Sequence, residues 1–141
     1  YIKDSPYGAH YYIAFEIYKK NKFTGIGLKN FRFESGKKKY FNENIKHSTK
    51  LWSTHPHQVH FEFLAETGLF GYLCFLIFFL LSFIFFFKKN LNKFNNFNVI
   101  GFLFIFVNIL PLLPSGSFFT TYGASIFWLN YSFMISEKIK D

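Results

Sequence analysis

"STHPHQVHFEFLAETGLFGYLCFLIFFLLSFIFFFKKN", residues 53–90, decides the fold. Its second half, residues 69–87, holds no charged side chain across 19 positions. At ~1.5 Å per residue that is roughly 28 Å of helix, about the thickness of a bilayer core, so a transmembrane helix is expected there. The first half crowds His55, His57 and His60 beside Glu62 and Glu66, immediately before the apolar run. Residues 59–67 read as a short helix with Phe61, Leu64 and Ala65 on one face and the two glutamates on another. Gly68 ends that helix or hinges it into the span.

Two further apolar runs follow. Residues 97–114, "FNVIGFLFIFVNILPLLP", carry Asn108 as their one strongly polar interior residue, and residues 118–135, "FFTTYGASIFWLNYSFMI", are more polar. Thr120, Thr121, Gly123, Ser125, Asn130 and Ser132 point to a third helix packed against protein rather than facing lipid all round. Between the first two runs, "KKNLNKFN" (88–95) brings three lysines and no acid, which favours the cytoplasmic side. "LPSGS" (113–117) is short, uncharged and turn-like. The expected fold is therefore an all-α polytopic membrane protein. Residues 1–67 form a large extracytoplasmic loop, with helices near 8–20 and 59–67. Residues 68–141 form the membrane region, with spans near 69–87, 97–114 and 118–135 and a cytoplasmic C-terminus.

The loop is basic. Of the 16 Lys and Arg in the chain, eleven lie before residue 60, against four acids. Counted near the span, however, Lys50 faces Glu62 and Glu66, and long translocated segments largely escape the charge rule. Such a loop suits anionic partners such as lipid headgroups or phosphates, whereas no nucleic-acid motif accompanies the charge. The stretch 8–22 sets Tyr11, Ala14, Phe15 and Tyr18 at helical spacing, and Gly25 and Gly27 then break the helix. The single Cys74 lies inside the apolar run and allows no disulfide framework. The chain opens on Tyr1 with no signal-like pattern, which reads as a piece of a longer protein.

Three histidines within six residues admit three chemistries. His55 and His57 could ligate a metal as H-x-H, but nothing at a familiar spacing completes a set. They could be inert polar residues at the headgroup level. Or one could serve as a general base, since a neutral imidazole accepts a proton near pH 7. Spacing alone leaves the last two open.

The stretch resembles the O-antigen ligase superfamily, membrane glycosyltransferases that include O-antigen ligases, O-antigen polymerases and protein O-oligosaccharyltransferases. The ligase pattern is His, then Asn, Ser or Gln, nine residues, Gly, two residues, Gly and Thr. Here His57-Gln58 is followed by "VHFEFLAET", Gly68, "LF" and Gly71, with Tyr72 in place of Thr. "KNKFTGIGLKNFR" (20–32) and "PLLPSGSFFTTYGASIFWL" (111–129) match other family segments more loosely.

The resemblance implies a GT-C-like glycosyltransferase and places the catalytic base at His57. That base activates an acceptor hydroxyl against a glycan on undecaprenyl pyrophosphate, with no metal and no cofactor. The implied acceptor is lipid A-core or another glycan or protein, and the implied location is the bacterial inner membrane, with residues 1–67 in the periplasm. A pyrophosphate calls for cations, and Arg binds phosphate bidentately. Arg32, the only arginine, is the first substrate contact expected, with Lys29, His55 and Gln58 beside it.

Overall fold

A computed structural model describes residues 4–48, 52–90, 95–111 and 113–136. Among these the regular structure is entirely helical: α1 (Pro6–Lys20), α2 (Phe31–Glu34), a 3-10 turn (Lys38–Tyr40), α3 (Val59–Asn90), α4 (Asn96–Ile109) and α5 (Thr121–Ile135). Each helix start has a local cause. Ser5 caps α1, its Oγ accepting from the Gly8 amide at 2.9 Å, and Pro6 occupies the first turn, where its missing N–H costs nothing. Asn95 and Thr120 cap α4 and α5 in the same way.

The buried stripe of α1 is His10, Ile13, Ala14 and Ile17, with Ala9 and Tyr11 alongside. Of the residues expected at helical spacing, Tyr11 and Ala14 lie on this face, whereas Phe15 stands 42% exposed. Small and β-branched residues let α1 approach the first half of α3 closely, and Tyr11 stacks on Phe61 with ring centroids 4.8 Å apart.

α3 is two helices joined at a break. Gly68 sits at φ 67°, ψ −168°, a conformation essentially restricted to glycine. Backbone groups freed there are taken up by the 22–27 segment, which crosses the break. Leu69 N–H donates to Lys22 O at 2.7 Å and Phe70 N–H to Phe23 O at 3.2 Å. On the other side, Ile26 N–H donates to Ala65 O at 3.1 Å and Gly27 N–H to Glu66 O at 2.9 Å. The crossing is so close that a Cβ on Gly68 would lie 2.5 Å from the Phe23 carbonyl carbon, and one on Gly25 would fall on the Glu66 backbone.

Beyond the break, α3 is the one helix among the described residues long and apolar enough to cross a membrane. The other two runs fall short of the expected spans. α4 stops at Ile109 because Leu110 precedes Pro111 and is pushed to ψ 130°. Its 14 residues and the 15 of α5 give roughly 21 and 22 Å, under the ~30 Å of a bilayer core. The two pair tightly instead. A Cβ on Gly101 would lie 2.5 Å from Asn130 O, and Asn98 Nδ2 donates to Phe133 O at 2.8 Å. The pair closes on α3 through Phe75, Phe79, Phe86, Ile105, Phe127 and Met134. The polar residues of α5 mostly serve their own helix, as Asn130 does by donating to Ile126 O and Ser125 by donating to Thr121 O.

Gly68→Ala should destabilise the fold by at least about 1–3 kcal/mol through backbone strain alone, before the collision with Phe23 is counted. The measurement is the melting temperature of the detergent-solubilised protein; an unchanged value would show that the crossing is dispensable.

Candidate functional site

The histidine segment is gripped from both sides. Gln58 caps the start of α3, its Oε1 accepting from Phe61 N–H at 3.1 Å, and its Nε2 reaches Leu110 O at 3.5 Å. It is 1% exposed, so the expected substrate contact is a buried structural residue. His57, one position earlier, adopts φ 57°, one of three left-handed non-glycine residues among those described. The conformation costs about 1–2 kcal/mol and turns the chain so that His57 O accepts from Ser115 N–H at 2.9 Å. The loop before α5 therefore fixes the backbone under the imidazole.

Around that ring stand three other aromatic side chains. His55 lies 4.1 Å away by ring centroid, His10 of α1 4.8 Å away, and Tyr7 meets it edge-on at 5.7 Å. Ser53 Oγ is 3.4 Å from Nε2 but already donates to His55 O at 2.8 Å. Burial lowers the His57 pKa below its ordinary value. Burial, then the neighbouring His57, brings His55 down to about 4, and the same causes together with His55 bring His10 to about 4. At neutral pH the cluster is uncharged, a set of acceptors rather than cations. Among the described residues no group of three or more His, Cys, Asp or Glu side chains is arranged to hold a metal ion.

The glutamates do not form the solvent face expected of them. Both are 1% exposed, and each holds a remote loop by its backbone amides. Glu66 accepts from Lys29 N–H at 2.6 Å and Phe31 N–H at 3.1 Å, and Glu62 accepts from Phe118 N–H at 2.8 Å and from the Ser117 hydroxyl. His60 is likewise structural, with Nδ1 3.0 Å from the Tyr72 hydroxyl and Nε2 2.6 Å from Ile109 O. Tyr72, the departure from the family pattern, thus has a defined partner.

α2 links the expected cations to the histidines. Its start is held by Glu66 and its end by Ser35, whose Oγ donates to Ser53 O at 3.1 Å. Arg32 lies between those anchors with Nε buried and without a hydrogen-bond partner. Lys29 is exposed at φ 60°. Lys37 and Lys39 are not a free patch, since both pair with Glu34. A cleft of about 340 Å³ opens between α4 and α5, lined by Val59, Phe104, Ser115, Phe118, Ile126 and Phe127 among others. Ser115, which holds the His57 carbonyl, sits on its wall.

Sequence reasoning placed His55 and His57 in one site but assigned no role to His10. The signal was present as a histidine in register with Ile13, Ala14 and Ile17 on a buried stripe.

These features define a membrane protein in which a capped helix carries a neutral imidazole just ahead of a bilayer-crossing segment. The family model described as O-antigen ligase matches residues 3–76, which is 74 of 141 positions, and the chain belongs to that family. No curated protein and no solved structure matches it.

Two outcomes follow. Glu66→Ala strips the acceptor from two amides, each charge-assisted bond contributing about 1.5–3 kcal/mol, so proteolysis within residues 23–34 should accelerate while α4 and α5 stay protected. Separately, an imidazole with a folded pKa below ~6.5 binds protons more weakly in the fold, so stability falls as pH drops from there toward about 4. Hydrogen exchange of α1 amides, corrected for intrinsic rates, should therefore lose protection on acidification, and His10→Leu should remove much of that loss.

Proposed function

We propose that the protein is an O-antigen ligase-like glycosyltransferase that moves a glycan from undecaprenyl pyrophosphate to an acceptor hydroxyl, with lipid A-core the leading acceptor. The observation that carries this reading is the neutral, half-buried His57 imidazole fixed at the mouth of α3. A polyprenyl donor keeps its tail in the bilayer, so its pyrophosphate and first sugar wait at headgroup level, where a base in this position needs little reach.

In the proposed step His57 takes the proton of the acceptor hydroxyl as the oxygen attacks the anomeric carbon. The bond from that carbon to the diphosphate breaks, and undecaprenyl diphosphate leaves with the electron pair. Arg32 and Lys29 face the diphosphate, the unpartnered Arg32 Nε marking guanidinium bonding capacity left unused by the protein itself. The apolar cleft beside Ser115 suits the isoprenoid stretch nearest the diphosphate. Residues 1–67 lie on the periplasmic side of the bacterial inner membrane in this reading, and α3 carries the chain across. Transfer to a growing lipid-linked polysaccharide or to a protein would use the same base. A lipid-docking role for the basic loop has less support, because Lys37 and Lys39 are already paired with Glu34.

The test follows donor consumption in membranes carrying the full-length protein. His57→Ala at matched expression should lose about 10²–10⁴-fold in turnover, the usual share of a general base, and a chelator should leave the wild type unaffected. Wild-type turnover in His57→Ala would remove the residue from the chemistry, and chelator sensitivity would restore the metal reading.

A further inference from the structure

His10 occupies a position on the buried stripe of α1 where leucine would pack without stranding a polar atom. It is 8% exposed, and its Nδ1 is buried with no hydrogen-bond partner. Leaving such an atom unsatisfied is costly, so a purely structural histidine is a poor choice there. The ring it faces is that of His57, at 4.8 Å between centroids and 57° between planes.

A general base also needs a group to accept its second ring N–H once the first nitrogen has taken a proton, and the only such contact His57 makes among the described residues is a long one to Ser53. In many active sites a carboxylate does this. Here Glu62 is engaged by Ser117 and Phe118, and Glu66 by Lys29 and Phe31. The Ser53 hydroxyl donates to His55 O and so keeps a lone pair for His57 Nε2, but at a long 3.4 Å.

Resting on the reading of His57 as the base, we propose that His10 is a positioning residue, a neutral imidazole whose free Nδ1 accepts the second N–H of the His57 imidazolium. As the acceptor oxygen bonds to the anomeric carbon, its proton moves to one nitrogen of His57 and the other N–H donates to His10. That proton stays on His57 until product leaves and is then released to water; His10 forms no covalent bond and carries no net charge. Rings at this separation need only side-chain rotation to close a hydrogen bond, a tightening common on substrate binding. The groups facing His57 are Tyr7 and His10 from α1, Ser53 and His55 from its own segment, and Ser115 from the loop before α5. Burial first, then mutual repulsion, keeps His10 uncharged down to about pH 4, so it remains an acceptor throughout the neutral range. His55 also has a buried free nitrogen, and its ring lies 4.1 Å from that of His57, so the His55→Leu variant separates the two candidates.

Donor consumption is measured in membranes carrying the full-length protein for His10→Leu, His10→Gln, His10→Ala, His55→Leu and His57→Ala. His10→Leu should lower kcat by about 10²-fold with the donor KM little changed, and its acid limb should move because the imidazolium has lost its partner. His10→Gln, which restores a carbonyl acceptor, should recover much of the rate, and added imidazole should revive His10→Ala. A merely structural role predicts the opposite, with His10→Leu active and imidazole without effect. Wild-type kcat in His10→Leu alongside inactive His57→Ala would overturn this inference and leave the base standing. So would a loss in His55→Leu that His10→Leu does not share. Full turnover in His57→Ala would overturn the functional reading itself. Should His10→Leu fail to accumulate, the glutamine variant and the imidazole rescue decide the matter.

Discussion

Four backbone hydrogen bonds across the break at Gly68 organise everything on the loop side of this protein. A helix interrupted by a residue in a glycine-only conformation leaves amides and carbonyls without partners, and leaving these buried is costly. The 22–27 segment supplies those partners on both sides of the break. Because it passes with glycine against glycine, Gly25 on Gly68, its distance from α3 has almost no slack. The connection from α1 to α2 is thereby fixed to the helix that enters the membrane, and α2 can then reach the histidine segment through Ser35 and Ser53.

Polar residues at the mouth of α3 divide into two kinds. Gln58, Glu62, Glu66 and His60 are spent on architecture, each bonding to backbone or hydroxyl groups of a distant segment. His10, His55 and Arg32 each keep a buried polar atom unused, and the two histidines lie against the His57 ring. A site with unspent hydrogen-bonding capacity beside a fully committed scaffold is what pre-organised chemistry requires.

Much of the scaffold was readable from residue order. The uncharged run 69–87, the hinge at Gly68 and the breaks at Gly25 and Gly27 follow from composition and glycine chemistry. Pro111 contained the reason why α4 stops at Ile109, although the apolar run continues past it. The partners of Glu62 and Glu66 were not readable, because a carboxylate that binds remote backbone amides leaves no mark in side-chain pattern. The amphipathic reading of residues 59–67 put both on a separate face and named no partner for that reason. Of the α1 residues read at helical spacing, Tyr11 and Ala14 are buried and Phe15 is not, and close approach to α3 added Ile13 and Ile17. His57 entered through a family pattern, and its setting through coordinates alone, since α1 contributes neighbours far away in sequence.

The nine residues between Gln58 and Gly68 act as a spacer of set length and phase. As helix they lift the imidazole roughly 13 Å above the break, and the break itself is pinned by the 22–27 crossing. Distance from the break and angular direction are thus one quantity, counted in residues. Adding or removing a single residue there would shift His57 by ~1.5 Å and swing it by about 100°, carrying it away from His10 and out from over Ser115. The residue count of this stretch is therefore a structural constraint in its own right, beside the side-chain roles of Glu62 and Glu66 within it.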